Sequence, residues 1–156
     1  MSYPPPPAQL AAAASHSRSL WRWNDRLAVI GAGGLLIGLL AIAAWLSPSQ
    51  SGLGTHRQLG LPPCTLLDWY GIRCPSCGMT TAWSHLMRGQ IVPALRANAG
   101  GAMLAVAALV GGPWLLASGI RGRWLETWLA ESWLIALAVL ILATTLTQWI
   151  LRLWLG

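Results

Sequence analysis

The chain of 156 residues is 55% hydrophobic and 9% charged, whereas soluble domains are roughly a quarter charged, so a globule covered by polar surface is excluded. Its formal charge of +6 rests on ten arginines and no lysine, and these flank the hydrophobic runs instead of forming one patch. That distribution points to anchoring at a lipid bilayer and not to nucleic acid.

Residues 1–19 hold Tyr3, a run of four prolines from Pro4 to Pro7 and an Ala/Ser stretch without apolar periodicity. They read as a disordered arm, with a proline-rich ligand as the alternative. Residues 20–156 form the expected membrane domain, with spans over 27–46, 98–120 and 133–153 and a cysteine loop over 47–97.

Leu27 to Leu46 is twenty residues without a charge, which at about 1.5 Å per residue crosses the roughly 30 Å hydrocarbon core. Trp21 and Trp23 precede it, Trp45 closes it, and Arg18, Arg22 and Arg26 crowd its start, as interfacial anchors do. A signal peptide would show a shorter apolar core, of about 7 to 15 residues. Gly34 and Gly38 make a GxxxG with Gly31 on the same face, a pattern that lets another helix approach. The second span carries Gly111, Gly112 and Pro113, and the proline predicts a kink in its later half. Between the second and third spans, Trp124, Leu125, Trp128 and Leu129 recur at helical spacing beside Arg121, Arg123, Glu126 and Glu131, so a short interfacial turn of helix is expected over 121–132. In the third span Thr144 and Gln148 are placed to hydrogen-bond a neighbouring helix, Thr144 having its own backbone as the other partner.

No ionisable residue falls in the interior of these spans, which argues against a proton relay or an ion pathway. The arginines divide five to either side of the membrane. Their density before the first span favours a cytoplasmic N-terminus, with the cysteine loop on the other face.

In the cysteine loop, Met79, Ala82, Trp83, Leu86 and Met87 share one arc at about 100° per residue, and Thr80, Thr81, Ser84, His85 and Arg88 share the opposite one. This predicts an amphipathic interfacial helix of about three turns after the Cys74-Pro75-Ser76-Cys77 turn, ended by Gly89. A second helix is expected to start near Pro93 and run into the second span. The fold class is therefore an all-α membrane protein with three transmembrane helices and one short interfacial helix.

Three chemical readings of the turn compete. A CxxC whose second cysteine opens a helix suits thiol redox, with Cys74 and Cys77 as the redox or disulfide pair and Arg73 nearby to favour a thiolate. Cys64, Cys74, Cys77 and His85 also offer a zinc ligand set. On a helix continuous from Cys77, however, His85 lies about 12 Å along the axis, beyond the reach of about 9 to 10 Å between Cα atoms that share one zinc. His85 then joins only if the helix starts later, and His56 or a second subunit is the other source of a ligand. The third reading is structural: a disulfide, with Cys64 pairing to Cys74 or Cys77, or a hydrogen-bonded turn that pins the helix.

Cys64, Gly71, Cys74, Pro75, Cys77, Gly78, Thr80, Ala82, Leu86, Gly89 and Asn98 stand at the spacing of a motif, and with these residues the chain resembles a bacterial family of small membrane proteins catalogued as domain of unknown function 2752. The likeness covers about 35 residues. Where the family shows Arg after the motif threonine this chain has Thr81, where it shows Gly-Asp it has Gly89-Gln90, and where it shows Asn-Pro it has Asn98-Ala99. A charged pair of that Arg and Asp is thus lost here. The resemblance implies a bacterial inner membrane and the three-helix layout, and supplies no substrate.

Two functions are expected from different classes. One is a non-enzymatic interaction or structural module that presents its cysteine-capped helix to a membrane-protein partner or to a second copy. The other is a membrane-tethered metal-binding or thiol-redox site on Cys64, Cys74 and Cys77, with zinc as the metal.

Overall fold

The long apolar runs fold as α1 (Trp23–Trp45), α4 (Ile91–Arg121) and α5 (Glu131–Leu155) in a computed structural model that describes residues 23–122 and 131–155. Each is long and apolar enough to cross a membrane. Between α1 and α4 come a 3₁₀ helix (Thr55–Leu59), α2 (Thr65–Tyr70) and α3 (Met79–Leu86). All regular structure among the described residues is helical. The arm 1–19, the anchors Trp21 and Arg22 and most of the segment 121–132 lie outside the described residues.

α1 packs along α4 more extensively than any other pair of helices. The close approach is made at Gly33, where a Cβ would stand 2.9 Å from both the Gly112 carbonyl oxygen and the Leu116 amide. Gly31, Gly34 and Gly38, the expected GxxxG face, meet nothing within 4 Å and are turned away from α4. One end of the pair is tied by Arg26, which donates to the carbonyls of Gly119 at 3.3 Å and Ile120 at 2.9 Å, where the last turn of a helix carries unsatisfied acceptors and negative partial charge. At the other end Ser84 of α3 donates to the Leu46 carbonyl just beyond α1, at 2.5 Å.

The helix after the cysteine turn is present but shorter than expected, and its division into arcs does not hold. Thr81 and Ser84, assigned to the polar arc, are 1% and 0% exposed. α3 is wedged between α1 and α4, with Trp83 against Leu40, Ala43, Ala105 and Ala108. Both hydroxyls reach acceptors there, Thr81 sharing a 2.8 Å bond with Thr55. Small hydroxyls that find partners bury at little net cost, so hydropathy arcs misplace them.

α4 begins at Ile91, near the expected Pro93, and is interrupted once. Asn98 takes extended dihedrals (φ −165°, ψ 108°), dividing a short half-helix from the membrane span. Pro113, where a kink was expected, keeps helical dihedrals. The difference is that proline frees only one backbone bond, whereas Asn98 replaces several, as the site shows.

α5 packs on α4 and on no other described helix. The two approach at Gly100, where Thr145 leaves no room for a Cβ. Gln148 bonds α4 as the sequence suggested. Thr145, next to the Thr144 singled out there, donates to its own Ile141 carbonyl at 2.7 Å.

Candidate functional site

The backbone break at Asn98 builds the site. Its amide nitrogen donates to the carbonyls of Pro75 at 3.0 Å and Cys77 at 3.2 Å, and its amide oxygen accepts from the Gly101 N–H at 2.7 Å. One buried side chain therefore caps the second half of α4 and holds the Cys74–Cys77 turn onto it. Gly78 closes the turn at φ +86°, and a Cβ there would stand 2.5 Å from the Ala97 carbonyl oxygen. Both the positive φ and the contact demand glycine.

The remaining backbone groups at the break are met by α5. Gln148 accepts from the Ala99 N–H at 2.8 Å and donates to the Leu95 carbonyl at 3.0 Å. Arg152 donates to the carbonyls of Arg96 at 2.6 Å and Ala97 at 3.0 Å, and Trp149 to that of Arg73 at 2.6 Å. Polar backbone left open inside a bilayer costs several kcal/mol per group. These side chains are what makes the interruption tolerable.

On this frame the sulfurs of Cys64, Cys74 and Cys77 come within 4.8 Å of one another. Cys64 precedes the first turn of α2, from across the loop, while Cys74 and Cys77 come from the turn, their sulfurs 3.1 Å apart. All three are free thiols, Cys77 buried and the others half-buried. The Cys64 thiol is pulled down to about 7, first by the Leu67 backbone amide and then by Cys74, both of which favour the thiolate. The Cys77 thiol is pushed up to about 12, first by burial and then by its two sulfur neighbours.

Neither His56 nor His85 joins the group of three sulfurs. His85 shares a 2.6 Å bond with Gln90 through Nδ1. His56 shares a 3.1 Å bond with the Pro62 carbonyl through Nε2 and lines, with the three cysteines, Thr80 and Thr81, a cavity of about 340 Å³. The two positions where the charged pair is lost are engaged separately, Thr81 with Thr55 and Gln90 with His85. Asn98 is the functional residue that composition and periodicity miss; its one sequence signal is its place in the motif.

Residues 64–112 match the family described as Protein of unknown function (DUF2752). The resemblance carried by the cysteine motif thus holds, and extends along α4 to Gly112. The DUF2752 match takes in Cys64, the turn, α3 and the break at Asn98, and leaves α1 and α5 outside it. No curated protein and no solved structure matches the chain.

Proposed function

We propose that this protein is a bacterial inner-membrane protein that holds one thiophilic metal ion, zinc foremost, on Cys64, Cys74 and Cys77. The observation that carries this reading is the convergence of three sulfurs within 4.8 Å. Three sulfurs on one zinc, each at about 2.3 Å, stand about 3.8 Å apart, so small side-chain rotations bring them to ligand distance. Soft thiolates favour zinc over magnesium or calcium. The Cys64 thiol is lowered to about 7 and so gives up its proton the more readily, and a bound cation would displace the proton that burial holds on Cys77. A fourth ligand then comes from the adjoining cavity, as water, a small molecule or His56.

Cobalt(II) titration of the reduced, detergent-purified chain tests this reading, because tetrahedral thiolate cobalt absorbs strongly in the visible. One equivalent saturates the wild type, and each of C64S, C74S and C77S weakens binding at least about tenfold, or about 1.4 kcal/mol. Affinity falls as the pH is lowered from about 8 to 6, since protons compete for the thiolates. Absence of the absorption, or its persistence when all three cysteines are serine, contradicts the reading.

A second reading is a dithiol couple of Cys74 and Cys77, favoured by their 3.1 Å contact. It predicts reversible oxidation of that pair and no bound metal. A cysteine loop acting only as an interface element for a second copy or a membrane partner predicts neither signal. The N-terminus is proposed to be cytoplasmic, which places the thiols outside the cytoplasm. Reaction of the reduced cysteines with an impermeant reagent in intact cells supports that orientation, and reaction only after the cells are opened contradicts it.

A further inference from the structure

A second cavity, of about 560 Å³, opens where the end of α5 meets the loop before Cys74. Its size falls within the roughly 300–1,000 Å³ of small-ligand sites. Arg73 and Arg152 supply its charge, and Ile72, Trp149, Leu151 and Leu155 are among its walls. Neither arginine has a carboxylate partner among the described residues. Arg152 is held in place by the Arg96 and Ala97 carbonyls. Arg73 is held by its backbone, through the bond from Trp149 to its carbonyl, and its guanidinium makes no hydrogen bond among the described residues. Two like charges therefore border one cavity, Arg152 held in place and the Arg73 guanidinium free to turn into it, with no carboxylate among the described residues paired to either.

Where the cavity lies decides what neutralises them. It sits at the end of a membrane span, the level at which tryptophan and arginine meet lipid headgroups. Toward the bilayer centre the surface continuing from it is apolar, with Leu151 53% exposed. A soluble anion would use the arginines alone, whereas a phospholipid at this level sets its phosphate on the arginines and an acyl chain on the apolar surface beside them. Guanidinium groups pair well with phosphate oxygens, by two donors each where geometry allows.

We propose that this cavity binds the phosphodiester headgroup of an anionic phospholipid between Arg73 and Arg152, with an acyl chain running toward the bilayer centre past Leu151 and Trp149. The lipid then joins α5 to the segment that carries Cys74, a link the protein makes otherwise through Trp149. The site does not depend on the metal reading.

Native mass spectrometry of the full chain in detergent tests it, with phosphatidylglycerol and phosphatidylcholine of identical acyl chains as probes. Phosphatidylglycerol is expected to bind about tenfold more tightly. Arg73→Gln should bring the ratio to within about twofold, while Arg73→Lys, which keeps the charge, and Arg121→Gln, at the far end of α4, should preserve it. Equal binding of the two lipids, a ratio unaffected by Arg73→Gln, or one abolished equally by Arg121→Gln overturns the proposal. So does glycerophosphate, which lacks acyl chains, if it displaces phosphatidylglycerol at equal concentration.

Discussion

Asn98 accomplishes with one amide what no hydropathy plot registers. It ends one half-helix, caps the next and fixes the carbonyls of Pro75 and Cys77. Replacing it by alanine removes the partner of three backbone groups, at two buried hydrogen bonds and one part-buried, so Asn98→Ala should lower stability by about 2–4 kcal/mol and weaken metal binding by loosening the turn. Gly78→Ala should be worse, because a left-handed residue with a side chain costs about 1–2 kcal/mol before its clash with the Ala97 carbonyl. Gly89→Ala is the control. Its φ is also positive, at +71°, but nothing lies within 4 Å, so only the conformational cost of about 1–2 kcal/mol remains. Unfolding midpoints followed by tryptophan fluorescence rank the three; equal loss at Gly78 and Gly89 would show that the contact with Ala97 does not matter.

Among the elements, the spans were legible because twenty uncharged residues from Leu27 to Leu46 are long and apolar enough to cross a bilayer. α3 was legible in place and not in character. Its periodicity is helical, but Thr81 and Ser84 are buried because Thr55 and the Leu46 carbonyl lie where their hydroxyls reach, and such partners come from chain distances of 26 and 38 residues. The break in α4 was hidden for the same reason: proline advertises a kink locally, while the Asn98 interruption depends on acceptors in the cysteine turn and on donors from α5. Gln148 is the test at this scale, since it alone meets both the Ala99 N–H and the Leu95 carbonyl. Gln148→Leu should destabilise the α4–α5 pair by about 2–3 kcal/mol, and Thr147→Leu, at an exposed neighbour, should change it by less than about 0.5 kcal/mol. Resistance of α5 to proteolysis in detergent reads the difference, and equal resistance of the two variants would refute the role given to Gln148.

For the whole molecule, the three spans serve to hold one polar end. α1 and α4 pair along their length, α3 is clamped between them, and α5 reaches over the break with Gln148, Trp149 and Arg152. That end gathers Cys64, Cys74 and Cys77 from two segments of chain. The cysteine spacing marked these residues as candidates, but their convergence required Asn98 and Gly78, whose roles emerge only once the turn is laid against α4. The distance argument from the sequence set His85 apart from Cys77, and in the folded chain His85 is engaged with Gln90. Elemental analysis of the chain purified in mild detergent without chelators is the most direct measurement of the central claim. The account predicts about one zinc or other thiophilic metal per chain, lost when Cys64, Cys74 and Cys77 are all serine; a metal-free wild-type protein that also takes up no zinc when reduced and supplied with it would contradict it.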